Sequence, residues 1–199
     1  MNKILLTLAL LISFSSFGQT AVKYFNSGYD KAKATDHYGA ISDYNKAIEL
    51  DPNNVDAYIN RGISKGNLKD YNGAISDFTK AIELNPNDAE TYNNRGFSKT
   101  NLEDYSGAIS DFTKAIELNP NLTKAYFSRG LSQINLKDYN GAISDYTKLI
   151  ELDPNEAEAY KNRAISKYYT NDLKGACEDA RKSGSLGSPF YKMIEAACK

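Results

Sequence analysis

Between Tyr71 and Leu84 the apolar side chains fall at Ala74, Ile75, Phe78, Ala81 and Ile82, a stripe of 3.6-residue period that predicts an amphipathic helix. The stretch before it, Val55 to Leu68, sets Tyr58, Gly62, Lys65 and Leu68 at helical spacing and predicts a partner helix. Asp70 stands just ahead of the second helix. A carboxylate there accepts hydrogen bonds from the orphan N–H groups of the first turn, worth about 1 kcal/mol. Asn85-Pro86 closes the element, because Pro donates no N–H and disfavours helix in the residue before it. The predicted unit is therefore a helical hairpin.

The hairpin recurs. Pro52, Pro86, Pro120 and Pro154 are 34 residues apart, as are Tyr24, Tyr58, Tyr92, Tyr126 and Tyr160. Gly-Ala-Ile-Ser-Asp begins at Gly39, Gly73, Gly107 and Gly141 in the same register, and Asp36, Asp104, Asp138 and Asp172 repeat the Asp70 cap. Such self-similarity is the signature of a stacked repeat, in which one unit cannot bury its own apolar stripe and neighbours complete the core.

These residues resemble the tetratricopeptide repeat. Its pattern has an aromatic at position 4, Gly or Ala at 8, Ala at 20, an aromatic at 24, Ala at 27 and Pro at 32. Tyr58, Gly62, Ala74, Phe78, Ala81 and Pro86 fill those places. The match predicts units over 21–54, 55–88, 89–122 and 123–156, a degenerate fifth over 157–188, and a capping helix over 189–199. In the fifth, Ala180 replaces the aromatic and Ser188 the Pro. The resemblance implies an all-α, right-handed superhelical solenoid of about five hairpins. It offers no reason for the Gly at position 19 (Gly73 and its equivalents), which costs up to about 1 kcal/mol in a helix relative to Ala.

The N-terminus reads differently. Lys3, the apolar run Ile4–Ile12, and Ser16 and Gly18 ahead of Gln19 form an export signal over residues 1–18. The competing reading is a membrane anchor, but the run is about half the roughly 20 residues a span needs. The expected mature protein is soluble, periplasmic or extracellular, and not inserted in a membrane. Across all 199 residues, 24 basic side chains meet 25 acidic ones, which argues against a nucleic-acid partner.

Catalytic and metal chemistry find no foothold in the pattern. His37, the one histidine, takes the slot held by Tyr71, Tyr105 and Tyr139 and reads as a packing residue. One His and two Cys assemble no zinc set, and no Gly-rich phosphate loop occurs, so no cofactor and no enzyme activity are expected. Asp77, Asp111 and Asp145, like Arg61, Arg95, Arg129 and Arg163, recur in step with the repeat and read as internal pairs rather than as a site. Asn121-Leu122-Thr123 is a weak glycosylation sequon. Cys177 and Cys198 are expected to form a disulfide in an oxidising compartment, the alternative being two buried thiols.

The resemblance implies a concave groove lined by the first helices at repeat positions 2, 5, 6, 9, 12 and 13. Phe25, Tyr29, Ile59, Ile63, Phe97, Phe127, Leu131, Ile165 and Tyr168 are its apolar members here. Asn26, Asn60, Asn93, Asn94 and Asn162 are its amides, and Lys124 falls at position 2. An amide carries donors and an acceptor, so it pairs with a peptide main chain without selecting its sequence. Two functions remain open from sequence: a scaffold holding a peptide or protein partner, or an envelope module for a small molecule or glycan. The family's carboxylate clamp is not expected, since Ile59, Ile63 and Ser128 occupy three of its five places.

Overall fold

The computed structural model describes residues 2–189 and Cys198, with side chains from Gly18 onward. The described residues form ten α-helices and no strand: α1 Asn2–Lys33, α2 His37–Leu50, α3 Val55–Asn67, α4 Tyr71–Leu84, α5 Ala89–Asn101, α6 Tyr105–Leu118, α7 Thr123–Asn135, α8 Tyr139–Leu152, α9 Ala157–Tyr169 and α10 Leu173–Ser185. α1 runs without a break past Gly18, while the side chains of the expected export signal lie outside the described set. The expected capping helix over 189–199 falls almost wholly outside it too.

Packing divides the chain into two compact units, residues 1–98 and 99–199. In the first, α1 packs on α2, α2 on α3, and α3 on α4. In the second, α6 packs on α7, α7 on α8, α8 on α9, and α9 on α10. Each is a run of antiparallel hairpins. Among the described residues no helix is long and apolar enough to cross a membrane.

The hairpin core is a small residue facing a ring. Tyr44, Phe78, Phe112 and Tyr146 at position 24 are almost wholly buried. A Cβ added at Gly28, Gly62 or Gly130 would lie 2.8 Å from the ring of Tyr44, Phe78 or Tyr146, so only glycine admits the ring. The fifth hairpin has lost both halves of the pair together: Ala164 and Ala180 are buried where Gly and an aromatic stand elsewhere. The hydroxyls of Tyr44 and Tyr146 have no hydrogen-bond partner among the described residues. Burial first, then the charges of Tyr29 and Asp30, push the Tyr44 phenol up to about 12.

The position-19 glycine now has a physical account. Asp36, Asp70, Asp104, Asp138 and Asp172 cap the second helices by accepting from the N–H of Gly39, Gly73, Gly107, Gly141 and Gly175 at 2.9–3.0 Å. The carboxylate lies so near that a Cβ on Gly73 would sit 2.1 Å from Asp70 Oδ2. Glycine's helix cost is offset by a cap of comparable worth.

Candidate functional site

The ionic ladder resolves into internal pairs. Arg61 grips Asp77 with two guanidinium nitrogens at 2.9 and 2.6 Å, and its third reaches back to Asn45 at 2.7 Å. Arg129 repeats this with Asp145 and Thr113, and Arg163 with Asp179 and Thr147. Arg95 likewise reaches Thr79 at 3.1 Å. Lys65 and Lys167 add second cations to Asp77 and Asp179, and Lys99 pairs with Asp111. Each arginine thus ties its own hairpin to the one before, over the face of the position-4 tyrosine (Arg61 lies 5.4 Å from the Tyr58 ring centre).

The first hairpin has Ser27 in place of the arginine. Ser27 and Lys31 both donate to Asp43 at 2.6 Å. Burial acts to raise the Asp43 carboxyl, but hydrogen bonds from Lys31 and Ser27, with the charges of Lys31 and Lys46, hold it below its ordinary value. The bidentate bond to Asp145 outweighs burial at Arg129 and raises its pKa.

With those cations occupied, the groove candidates divide by exposure. Tyr29, Ile63 and Phe97, at position 9 of α1, α3 and α5, are 44%, 41% and 56% exposed, a large fraction for apolar side chains. Tyr168 is exposed as well, while Leu131 and Ile165 are half-buried. Position 5 turns inward: Phe25 packs on Tyr44 and Phe127 on Tyr146, ring centres 5.9 Å apart in each case. Ile59 is half-buried there, and Asn93 is buried, its Oδ1 without a hydrogen-bond partner among the described residues.

The amides are not uniform. Asn26 is exposed, Asn60 and Asn94 are half-buried, and Asn162 is buried. Asn60 donates to the carbonyl of Asp56 one turn back at 2.8 Å. The first unit therefore carries three exposed apolar side chains at position 9, each three residues beyond an amide and on the same helix face.

The second unit holds a cavity of about 290 Å³ between the start of α7, the end of α8 and the start of α9. Phe127 and Leu149 form its apolar floor, and Lys124 and Ser128 stand on the α7 side. Two groove candidates thus meet there. Its acidic edge and the Leu149 floor lay outside the groove positions, since both belong to the hairpin ends and to α8. Leu149 is signalled by its departure from the Ala of the preceding hairpins, whereas the acidic edge is not, since Asp51, Asp56, Asp88 and Glu90 already stand at its positions in earlier hairpins.

Cys177 and Cys198 are joined, with Cα atoms 5.5 Å apart, and Arg181 donates to the Cys198 carbonyl at 3.0 Å. The link is the expected one.

Stacked hairpins of this geometry, with an exposed side-chain row on their first helices, define a helical repeat scaffold. Models of the tetratricopeptide repeat match residues 55–88, 89–122 and 123–156, and a TPR repeat model matches 36–69. The chain belongs to the tetratricopeptide repeat family, and its fold is the all-α solenoid of that family.

Among solved structures it is similar to MamA protein, at 26% identity and TM-score 0.82 over 90% of this chain and 96% of that one. It is also similar to YrrB, described as a TPR protein with an unusual peptide-binding site, at 26% identity and TM-score 0.78 over 89% and 91%. MamA 41-end from Desulfovibrio magneticus RS-1 shares the fold at 22% identity and TM-score 0.80, over 84% and 94%. No curated protein matches the chain in sequence.

Proposed function

We propose that the chain is an exported scaffold that holds a peptide segment of a partner protein along the first helices of its hairpins. The observation that carries this reading is the row Tyr29, Ile63 and Phe97, each 41–56% exposed and on the same helix faces as Asn26, Asn60 and Asn94. Covering the exposed half of such side chains yields roughly 1 kcal/mol each, about half of what full burial gives, and a row of them marks a binding surface. Apolar side chains of a partner cover the row while the amides pair with its main chain. A peptide-binding site in YrrB supports the same use of this fold. The signal-like N-terminus supports action in the envelope or outside the cell.

Capture of partners from envelope extract tests the reading. Asn60→Ala with Asn94→Ala, and separately Phe97→Ala, should leave melting within about 0.5 kcal/mol of the parent while capture falls. Capture that persists in both variants, but is lost on changing Lys114 and Lys148 of the second helices, would move the binding surface elsewhere.

A further inference from the structure

A residue that recurs in every unit serves the unit, so a cluster of departures from the repeat marks something local. The cavity in the second unit gathers such departures. Leu149 stands where the preceding units carry Ala47, Ala81 and Ala115. Ser128 stands where the other four carry Asn26, Asn60, Asn94 and Asn162. The larger residue widens the apolar floor beside Phe127, and the smaller one leaves room above it. At the mouth Asp153, Glu156 and Glu158 form an acidic edge against Lys124; all three places are acidic here, against two of three at Asp51 and Asp56 and at Asp88 and Glu90 in earlier hairpins.

The lining is therefore apolar below and net negative at its mouth. Glu158 is paired with Lys161. Glu156 accepts the Glu158 N–H through Oε1 at 3.3 Å, and Asp153 accepts the Asn155 N–H through Oδ1 at 3.1 Å. The second oxygens of Glu156 and Asp153 have no partner among the described residues. An apolar surface ending in carboxylates with free acceptor oxygens is the complement of a long side chain with a cationic tip.

We infer that this cavity is a subsite for an arginine or lysine side chain of the bound peptide. The stem lies against Phe127 and Leu149, and the charged head meets Asp153 and Glu156. The inference rests on the peptide-scaffold reading and adds a sequence requirement to it. A planar guanidinium also stacks on the Phe127 ring, which favours arginine over lysine.

The test uses N-acetyl-arginine methylamide as probe and its neutral isostere N-acetyl-citrulline methylamide as control. Both are titrated into methyl-labelled protein and followed at the Leu149 methyl groups. The arginine probe should shift those signals, and the citrulline probe should bind about fivefold more weakly, as expected for two partly exposed ion pairs. Asp153→Asn with Glu156→Gln should bring the arginine probe down to the citrulline level. Both changes keep the oxygen that accepts the backbone N–H, and Asn85 and Asn119 already occupy the Asp153 position in other units, so the fold is retained.

No shift at Leu149, or equal shifts from the two probes, overturns the inference. Partner capture separates it from the wider proposal. If capture needs Phe97 but is indifferent to the Asp153 and Glu156 changes, the row remains the binding surface and the basic subsite is removed.

Discussion

Asp43, Asp77, Asp111, Asp145 and Asp179 are carboxylates no more than 5% exposed, and a charge so placed is tolerable only while it is paired. Their partners are not equivalent. Asp77 and Asp179 each hold an arginine and a lysine, whereas Gln133 stands at the lysine position of the fourth hairpin, so Asp145 relies on Arg129. Arg129→Met should therefore destabilise by about 3 kcal/mol, the cost of leaving a buried carboxylate alone. Arg163→Met, with Lys167 still 2.8 Å from Asp179, should cost clearly less. Urea denaturation of the two variants checks the order, and equal losses would show that the lysines carry no compensating charge. The slots of these residues are legible in the sequence because they recur every 34 residues. Their pairing is not, because an arginine contacts residues 16 positions away on either side.

At the scale of the helix, each hairpin turns through one residue of positive φ: Thr35, Lys69, Glu103, Lys137 and Asn171, at 61° to 66°. The following N–H bonds back to the carbonyl five residues earlier, as Asp138 does to Gln133 at 2.8 Å, which is the six-to-one closure of a helix C-terminus. Glycine is the usual occupant of that conformation, yet none of the five is glycine. A side chain with a Cβ costs roughly 1–2 kcal/mol there, partly balanced by glycine's greater freedom in the unfolded chain. Lys137→Gly should therefore raise stability by about 0.5 kcal/mol, and Asn171→Gly by less, because Asn tolerates the conformation better. A lower melting temperature for Lys137→Gly would refute this account of the turn. No composition signal announced these positions. The Asp caps one residue later were plain, because a cap acts within three residues, whereas the turn geometry is imposed by docking the two helices.

For the molecule as a whole, the proposed export and the closed disulfide make one joint prediction. Intact mass of the exported protein should correspond to a chain beginning at Gln19 and lacking the two thiol hydrogens of Cys177 and Cys198. Recovery of residues 1–18 in a membrane fraction would sink the export reading, and two titratable thiols would remove the link. Closing the 21-residue separation is worth roughly 3 kcal/mol through the unfolded state, where the fifth hairpin has only Ala164 against Ala180. The hairpins, their caps and their small and large core positions were determined by the sequence alone, because each depends on short-range periodicity repeated many times. The cysteine link was expected on other grounds, from two cysteines in a chain read as exported. Exposure was decided by tertiary structure. Asn26 and Asn162 hold the same repeat position, yet one is exposed and the other buried. Phe127 turns onto Tyr146 and is half-buried, while Phe97, four positions further along its own unit, is 56% exposed. Burial depends on which side chains arrive from the neighbouring helices, and the repeat pattern is silent on that wherever units differ.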